Sequence, residues 1–171
     1  MNEVMPQAST MPPHFRMYHG KAHGNDVLHA LQHALDRTGT LFSAVAEDRG
    51  GHRYAAGKWS IKEVLQHLSD CERIFAYRAL CFARKDLTVQ PGFDEDLYAA
   101  TSGADGHALA SILAEHRAIR QSTLALFASF DGTMLERMGT AGSSTLSVHD
   151  LGLIIAGHAE HHCDIHEQRY L

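Results

Sequence analysis

Cysteine, basic charge and long apolar runs are all scarce in this sequence of 171 residues. The three cysteines, Cys71, Cys81 and Cys163, show no C-x-x-C spacing, so neither a disulfide framework nor a thiolate zinc site is indicated. The net charge of −5 at pH 7 provides no basic surface for nucleic acid. No apolar run approaches the roughly 20 residues of a membrane span, and the N-terminus lacks the apolar segment of a signal peptide. We therefore expect a cytoplasmic protein that binds neither nucleic acid nor a membrane.

Histidine, in contrast, is abundant. The chain has 14 histidines, while its apolar content of 44% and charged content of 20% are ordinary for a globular protein. Because histidine is the commonest metal ligand in proteins, this excess favours a metal site.

Apolar residues recur at steps of three and four in four segments, which predicts an all-α four-helix bundle. The segments cover about residues 25–47, 60–83, 105–130 and 147–170. Capping signals, Ser60 with Glu63 and Ser147 with Asp150, mark the starts of the second and fourth helices. Residues 1–24, with three of the four prolines, read as an irregular arm, and residues 25–171 as one bundle domain. Residues 84–104 read as a long crossover between the second and third helices or as a functional lid, and residues 131–146 as a loop.

The last predicted helix carries histidines on its apolar face. On a helical projection His158 lies at the centre of the face formed by Leu151, Ile154 and Ile155, and His162 lies about 40° to one side. Histidines at i and i+4 lie one above the other and can bind one metal ion from a single helix.

The first helix contains the same spacing in His29 and His33, but this pair lies about 160° from the apolar stripe that includes Leu28 and Leu31. We expect it to face water. On the second helix His67 points inward. If the second and fourth helices are antiparallel, as a long crossover allows, His67 comes to about the same depth as His158 and His162.

The motifs that carry these histidines resemble a known family. They are Trp59-Ser-Ile-Lys-Glu-Val-Leu-Gln-His67, the later Pro91-Gly-Phe-Asp-Glu-Asp96, and Gly157-His-Ala-Glu-His-His162, and together they are similar to the DinB/YfiT-like superfamily. The resemblance implies an up-down-down-up four-helix bundle, often dimeric, with a metal held by His67, His158 and His162. Members of the family include thiol transferases and a maleylpyruvate isomerase-like branch.

Three neutral imidazoles would leave a divalent ion, zinc or nickel, with an open position for water or substrate. We therefore expect a metal-dependent enzyme, either a hydrolase or a transferase of low-molecular-weight thiols, acting on a small molecule that could itself be a thiol. The alternative is a non-catalytic metal-binding or stress-response protein, and a metal-free helical interaction module is a third possibility. By resemblance, and because the first helix and the arm have surface to spare, we expect a homodimer.

Several roles stay open at this level. His116 or Cys71 could close the site as a fourth ligand, and His161 could replace His162. Asp70, or Glu63 if it is not used in capping, could orient the His67 ring. Arg120 and Tyr98 could contact an anionic substrate, and both could equally be surface residues. We expect His14, His19, His23 and His166 at the surface.

Overall fold

The computed structural model describes residues 10–171, so residues 1–9 of the predicted arm lie outside the described residues. In chain order its helices and strands are α1 (Pro13–Lys21), α2 (Val27–Ser43), α3 (Ile61–Ala83), α4 (Glu95–Thr101), α5 (Leu109–Ala128), α6 (Gly132–Leu135), β1 (Met138–Ala141), β2 (Ser144–Ser147) and α7 (Val148–Arg169). Short 3₁₀ turns follow α2 and α4. Within residues 10–171, no helix has the length and apolar character that crossing a membrane requires.

The four long helices α2, α3, α5 and α7 form the predicted bundle, and local chemistry sets where they start. Ser60 and Glu63 form a reciprocal capping box at α3, as predicted. An equivalent box of Ser147 and Asp150 opens α7. The start of α5 has no local side-chain cap, and its Leu109 N–H instead donates to the Glu47 carboxylate at 2.9 and 3.0 Å. The sequence predicted that this helix starts near residue 105. The error arises because the capping group, Glu47, is distant in the chain and gives no local signal at residue 109.

Contacts between the helices give their directions. His149 at the start of α7 bonds the Asn25 carbonyl just before α2, and Arg37 later in α2 bonds Glu167 near the end of α7, so these two helices run parallel. The Tyr170 hydroxyl, at the end of α7, donates to the Trp59 carbonyl just before α3 at 2.7 Å, so α3 and α7 are antiparallel.

The remaining directions follow from α5. Glu72 on α3 pairs with Arg120 on α5, and Gln66 approaches Glu115, so α3 and α5 run parallel. Two parallel neighbours need a long connection, which residues 84–108 supply. The prediction of an up-down-down-up four-helix bundle with a crossover between its second and third helices is confirmed.

Two connections contain structure that the sequence analysis did not predict. The crossover holds the short helix α4, capped by Asp94, and residues 138–147 form an antiparallel hairpin in which Met138 pairs with Ser147. Gly142 at its tip has a φ of +59°, which glycine adopts without strain. Four residues per strand give too little alternation to indicate strands from sequence.

The expected irregular arm is wrong for Pro13–Lys21, which form α1. Pro13 occupies the first helical position, where its missing N–H costs no hydrogen bond. α1 packs on α7 so closely that a Cβ at Gly157 would clash with the Tyr18 carbonyl. Phe15, Tyr18 and the following Ala22 form a short stripe that packs against the core, and this contact with α7 and the core holds the helix in place.

α7 is the central helix of the molecule, because α1, α2 and α3 all pack against it. Fourteen of its 22 residues are buried. This explains why His166, expected at the surface, is buried beside Phe42. Leu28, expected in the core, is exposed on α2.

Candidate metal centre

Three imidazoles meet in the interface between α3 and α7. The ring centroid of His67 lies 4.9 Å from that of His158 and 5.0 Å from that of His162, and the two rings on α7 are 4.7 Å apart. Their exposed fractions are only 6%, 5% and 8%. The antiparallel packing of α3 and α7 thus brings the three histidines to one depth.

Two nitrogen atoms of this cluster are spaced as ligands of one ion would be. His67 Nε2 and His158 Nε2 are 3.0 Å apart. Two imidazoles that each lie 2.0–2.1 Å from a tetrahedral zinc ion are separated by roughly 3.3 Å. A small movement of either ring would therefore accommodate a metal between them.

Cys71 belongs to the same cluster. Its Sγ lies 3.6 and 3.7 Å from the two ring nitrogens of His67, and the ligand atoms of His67, Cys71 and His158 all lie within 4.8 Å of one another. Spacing explains this placement, because residues i and i+4 of α3 share one face. His162 is adjacent in ring distance but does not join this tightest group.

His162 has an unfulfilled hydrogen-bonding group. Its Nδ1 is buried and has no hydrogen-bond partner among residues 10–171. A buried polar atom without a partner is costly, and a metal ion in the cluster would give it one after a rotation of the ring. The donor set of nitrogens and one sulfur fits zinc or nickel better than magnesium or calcium.

Electrostatics leave the cluster neutral and able to coordinate. Burial lowers the pKa of His67 to about 4. Burial, reinforced by the neighbouring imidazoles, holds the pKa of His158 and His162 well below 6.5. Burial also raises the pKa of the Cys71 thiol, so this side chain is protonated at neutral pH without a metal. The imidazoles therefore keep their lone pairs at neutral pH.

Aromatic rings surround the cluster on two sides. The only tryptophan, Trp59, lies with its ring centroid 4.6 Å from that of His67. On the other side Tyr18 of α1 lies 4.9 Å from the His158 ring and 5.3 Å from the His161 ring. Among the described residues, His67 has ring contacts with Trp59, His158 and His162, which favours His162 over His161 as its neighbour.

Cavities reach the cluster from both sides. One of about 240 Å³ is lined by His162, Trp59 and residues of the loop before α3. Another of about 440 Å³ is lined by Cys71, Tyr18 and Phe75, with Phe93 and Glu95 from the crossover. Small molecules could therefore approach from solvent.

His116, a candidate fourth ligand, lies outside the cluster. It is fully buried, its Nδ1 is 3.5 Å from the Ser69 hydroxyl, and its Nε2 has no partner within residues 10–171. Arg120, expected to contact substrate, is buried in a two-pronged ion pair with Glu72 at 2.7 and 2.9 Å. The prediction for Arg120 is therefore wrong, because its charge is already neutralised inside the bundle.

The residues expected to orient His67 also point elsewhere. Asp70 accepts a hydrogen bond from Gln66 at 3.1 Å, and Glu63 is used in the capping box. Tyr98 is partly exposed on the crossover, where it contacts Phe93.

The histidines outside the cluster lie mostly at the surface. On α2, His29 is exposed, and His33, whose side chain is 40% exposed, bonds Glu160 at 2.8 Å. In the arm His14 and His23 are exposed as expected, while His19 is half-buried and lies 3.5 Å from Asp150.

Comparisons with known proteins agree with this architecture. The model of the DinB superfamily matches residues 30–165. A solved structure that the chain resembles is that of YfiT from Bacillus subtilis, described as a probable metal-dependent hydrolase with an unusual four-helix bundle topology. The TM-score is 0.68 at 15% identity, over 99% of this chain and 93% of that one, so this likeness shows the fold alone. No curated protein matches the chain.

Proposed function

Since the chain belongs to the DinB superfamily, we propose that it binds one divalent metal ion between α3 and α7 and hydrolyses a small-molecule substrate. The observation that carries the proposal is the buried group of neutral imidazoles with cavities on both sides. A purely structural role would not require the group to be reachable from solvent. YfiT, of the same fold, is described as a probable metal-dependent hydrolase.

His67, His158 and His162 are the ligands we propose, with zinc or nickel as the ion. The 3.0 Å separation of His67 Nε2 and His158 Nε2 and the unpartnered His162 Nδ1 support this set. The alternative third ligand is Cys71, whose Sγ lies 3.6 and 3.7 Å from the two ring nitrogens of His67. A thiolate there would require its proton to leave on metal binding, since burial raises the pKa of the thiol.

His67, His158 and His162 would hold the ion, which would supply Lewis-acid chemistry, lowering the pKa of water or of a thiol and polarising a carbonyl. The protein itself would hold and screen the substrate. Trp59 and Tyr18 cover two sides of the cluster and limit the entry of bulk water. Tyr18, whose pKa is raised by burial and by Glu95, keeps its hydroxyl proton at neutral pH and can donate a hydrogen bond to a substrate oxygen.

Transfer of a low-molecular-weight thiol is a second reaction that this donor set would support. A metal held by neutral imidazoles keeps its full positive charge and therefore stabilises a thiolate.

A non-catalytic metal-binding role is favoured by one observation, the position of Cys71. If Cys71 joins the three histidines, four protein ligands complete a tetrahedral site, which is the arrangement of structural zinc. The two roles therefore differ in whether one coordination position stays open.

Cobalt substitution tests the open position. We expect the Co²⁺-loaded protein to show visible absorption that changes on addition of azide, and the His158→Ala variant to show neither the band nor the response. A hydrolase should bind azide, whereas a thiol transferase should also give a thiolate charge-transfer band and consume an electrophile only with metal present. A spectrum insensitive to both azide and a small thiol would mean a closed site and would contradict the catalytic proposal.

We also propose a homodimer. Exposed apolar side chains at the end of α3 and in the crossover, including Tyr77, Leu87 and Val89, support it as surface that a second copy could cover. The arm, which was also expected to supply dimer surface, instead packs on α7 through α1. Light scattering at micromolar concentration should give twice the chain mass, and a monomeric mass would contradict the proposal.

A further inference from the structure

The larger cavity beside the cluster contains an unusual arginine. This cavity of about 440 Å³ is lined by Cys71 and Phe75 of α3, Tyr18 of α1, and Phe93 and Glu95 of the crossover region. Arg78, two turns after Cys71 on α3, also lines it and is only 5% exposed.

Among residues 10–171, no carboxylate lies within ion-pair distance of the Arg78 guanidinium, and Glu95 is the acidic residue that lines the same cavity. The Cζ of Arg78 lies 5.5 Å from the Phe75 ring centroid and 5.7 Å from that of Phe93. Within residues 10–171 it makes one hydrogen bond, from Nη2 to the Pro91 carbonyl at 2.6 Å, and no ion pair. Burial accordingly lowers the pKa of Arg78.

Arg120 provides the contrast within the same bundle. It is buried to a similar degree, but it forms a two-pronged ion pair with Glu72 and a further bond to the Leu31 carbonyl. Arginines are rarely buried without such a partner, because desolvating a charge is costly. The cost at Arg78 is explained if an anion enters the cavity and completes the pairing.

We infer that Arg78 binds the carboxylate of the substrate, at the end of the cavity away from the imidazole cluster. A guanidinium presents a planar fork of N–H donors that matches a carboxylate in two parallel hydrogen bonds. Phe75 bridges the two regions, since its ring lies beside Arg78 and 6.4 Å from the His158 ring. This inference rests on the proposed function in one respect, that the substrate reaches the cluster through this cavity.

The surroundings define the substrate class further. Phe75 and Phe93 form apolar walls, which suit an aromatic or aliphatic segment between the carboxylate and the reacting group. Glu95 adds a negative charge to the same cavity. Because this charge repels a dianion more strongly than a monoanion, it disfavours a phosphate relative to a carboxylate. The expected substrate is therefore a small organic acid with one carboxylate.

Calorimetric titration of the whole 171-residue chain, with zinc and with chelator, tests this inference. The probes are 3-phenylpropionate, its neutral analogue 3-phenylpropanamide, and phenyl phosphate. We expect at least about tenfold tighter binding of the carboxylate than of the amide, the effect of a charge-assisted hydrogen bond. Arg78→Gln should abolish this preference and leave binding of the amide unchanged. Arg73→Gln, on the same helix but with a half-exposed side chain, is the matched control and should retain it.

If Arg78 only anchors the crossover through Pro91, carboxylate and amide will bind equally and the inference is overturned. A preference for phenyl phosphate would overturn the assignment to a carboxylate. In case Arg78→Gln does not fold, the wild-type Arg78 Nε–H resonance should shift with 3-phenylpropionate and not with the amide, and an unchanged resonance would also overturn it. The carboxylate preference should persist in chelator. The outcome of this test is therefore independent of whether the protein binds a metal and hydrolyses a substrate.

Discussion

Two pairs of histidines with the same spacing have opposite environments in this molecule. His29 and His33 on α2 are exposed or half-exposed, and His33 bonds a carboxylate of Glu160. His158 and His162 on α7 are buried against each other and against His67. The i, i+4 spacing is therefore common to a surface pair and to the candidate metal centre.

The difference comes from the face of the helix and from what packs against it. α7 lies at the centre of the fold, and its histidines meet an antiparallel α3 with His67 at the same depth. The pair on α2 lies at the surface, where His33 bonds Glu160 and the exposed His23 ring contacts His29 and His33 at 5.4 and 4.1 Å between centroids. The candidate metal centre differs because its third imidazole comes from a second buried helix, which spacing within one helix cannot supply.

The largest effect that separates the pairs should be on metal content. We expect His67→Ala, His158→Ala and His162→Ala each to lower metal affinity at least 100-fold, more than the roughly 10- to 100-fold loss typical of outer-shell partners. His29→Ala and His33→Ala should leave it unchanged. Elemental analysis of the purified proteins, and quenching of Trp59 fluorescence by Co²⁺, measure the effect.

A Cys71→Ala variant decides between the two possible third ligands. If the three histidines are the ligands, Cys71→Ala retains the metal and His162→Ala loses it. The reverse result would replace His162 by Cys71 in the site, and full retention in His158→Ala would contradict the site altogether.

The features that could be predicted from the sequence are those set by local chemistry or by one helical face. Capping boxes placed the starts of α3 and α7. Inward-facing periodicity selected His67, His158 and His162, and helix length gave them a common depth on the condition that α3 and α7 are antiparallel. In the structure the two helices are antiparallel and the three ring centroids lie within 5.0 Å of one another.

The rest depends on contacts between distant parts of the chain. α1 has only a short apolar stripe, Phe15, Tyr18 and the following Ala22, and Gly157 lets this stripe approach α7. His166 is buried because α7 is surrounded on several sides, so the polar side expected of a surface helix is absent there. Arg78 and Arg120 look alike in sequence, and only the structure shows that one has a carboxylate partner and the other does not.

A smaller effect, on stability instead of metal content, should come from burial alone. His116 shows it, because it is a buried histidine that is not a proposed ligand. Burial, assisted by Arg120, lowers the pKa of His116 to about 4, against 6.5 in the unfolded chain. The charged groups that face it are Arg120, Glu72, Arg117 and Glu115. Since the folded state holds this ring neutral, its contribution to stability is complete above pH 6.5 and is lost as the pH falls toward 4, because the unfolded chain then binds the proton more tightly.

At pH 5 this loss amounts to about 2 kcal/mol in the free energy of unfolding. We therefore expect the drop in unfolding free energy between pH 7.5 and pH 5, measured by urea titration in chelator, to be smaller by about this amount in His116→Gln than in the wild type. His29→Gln is the matched control, because it makes the same substitution at an exposed histidine instead of a buried one, and it should leave the drop as in the wild type. An equal drop in His116→Gln and wild type would mean that the buried ring gains a proton without unfolding. In that case burial alone would not distinguish the inward-facing histidines from the surface pair on α2, and the contrast between them would rest on metal binding only.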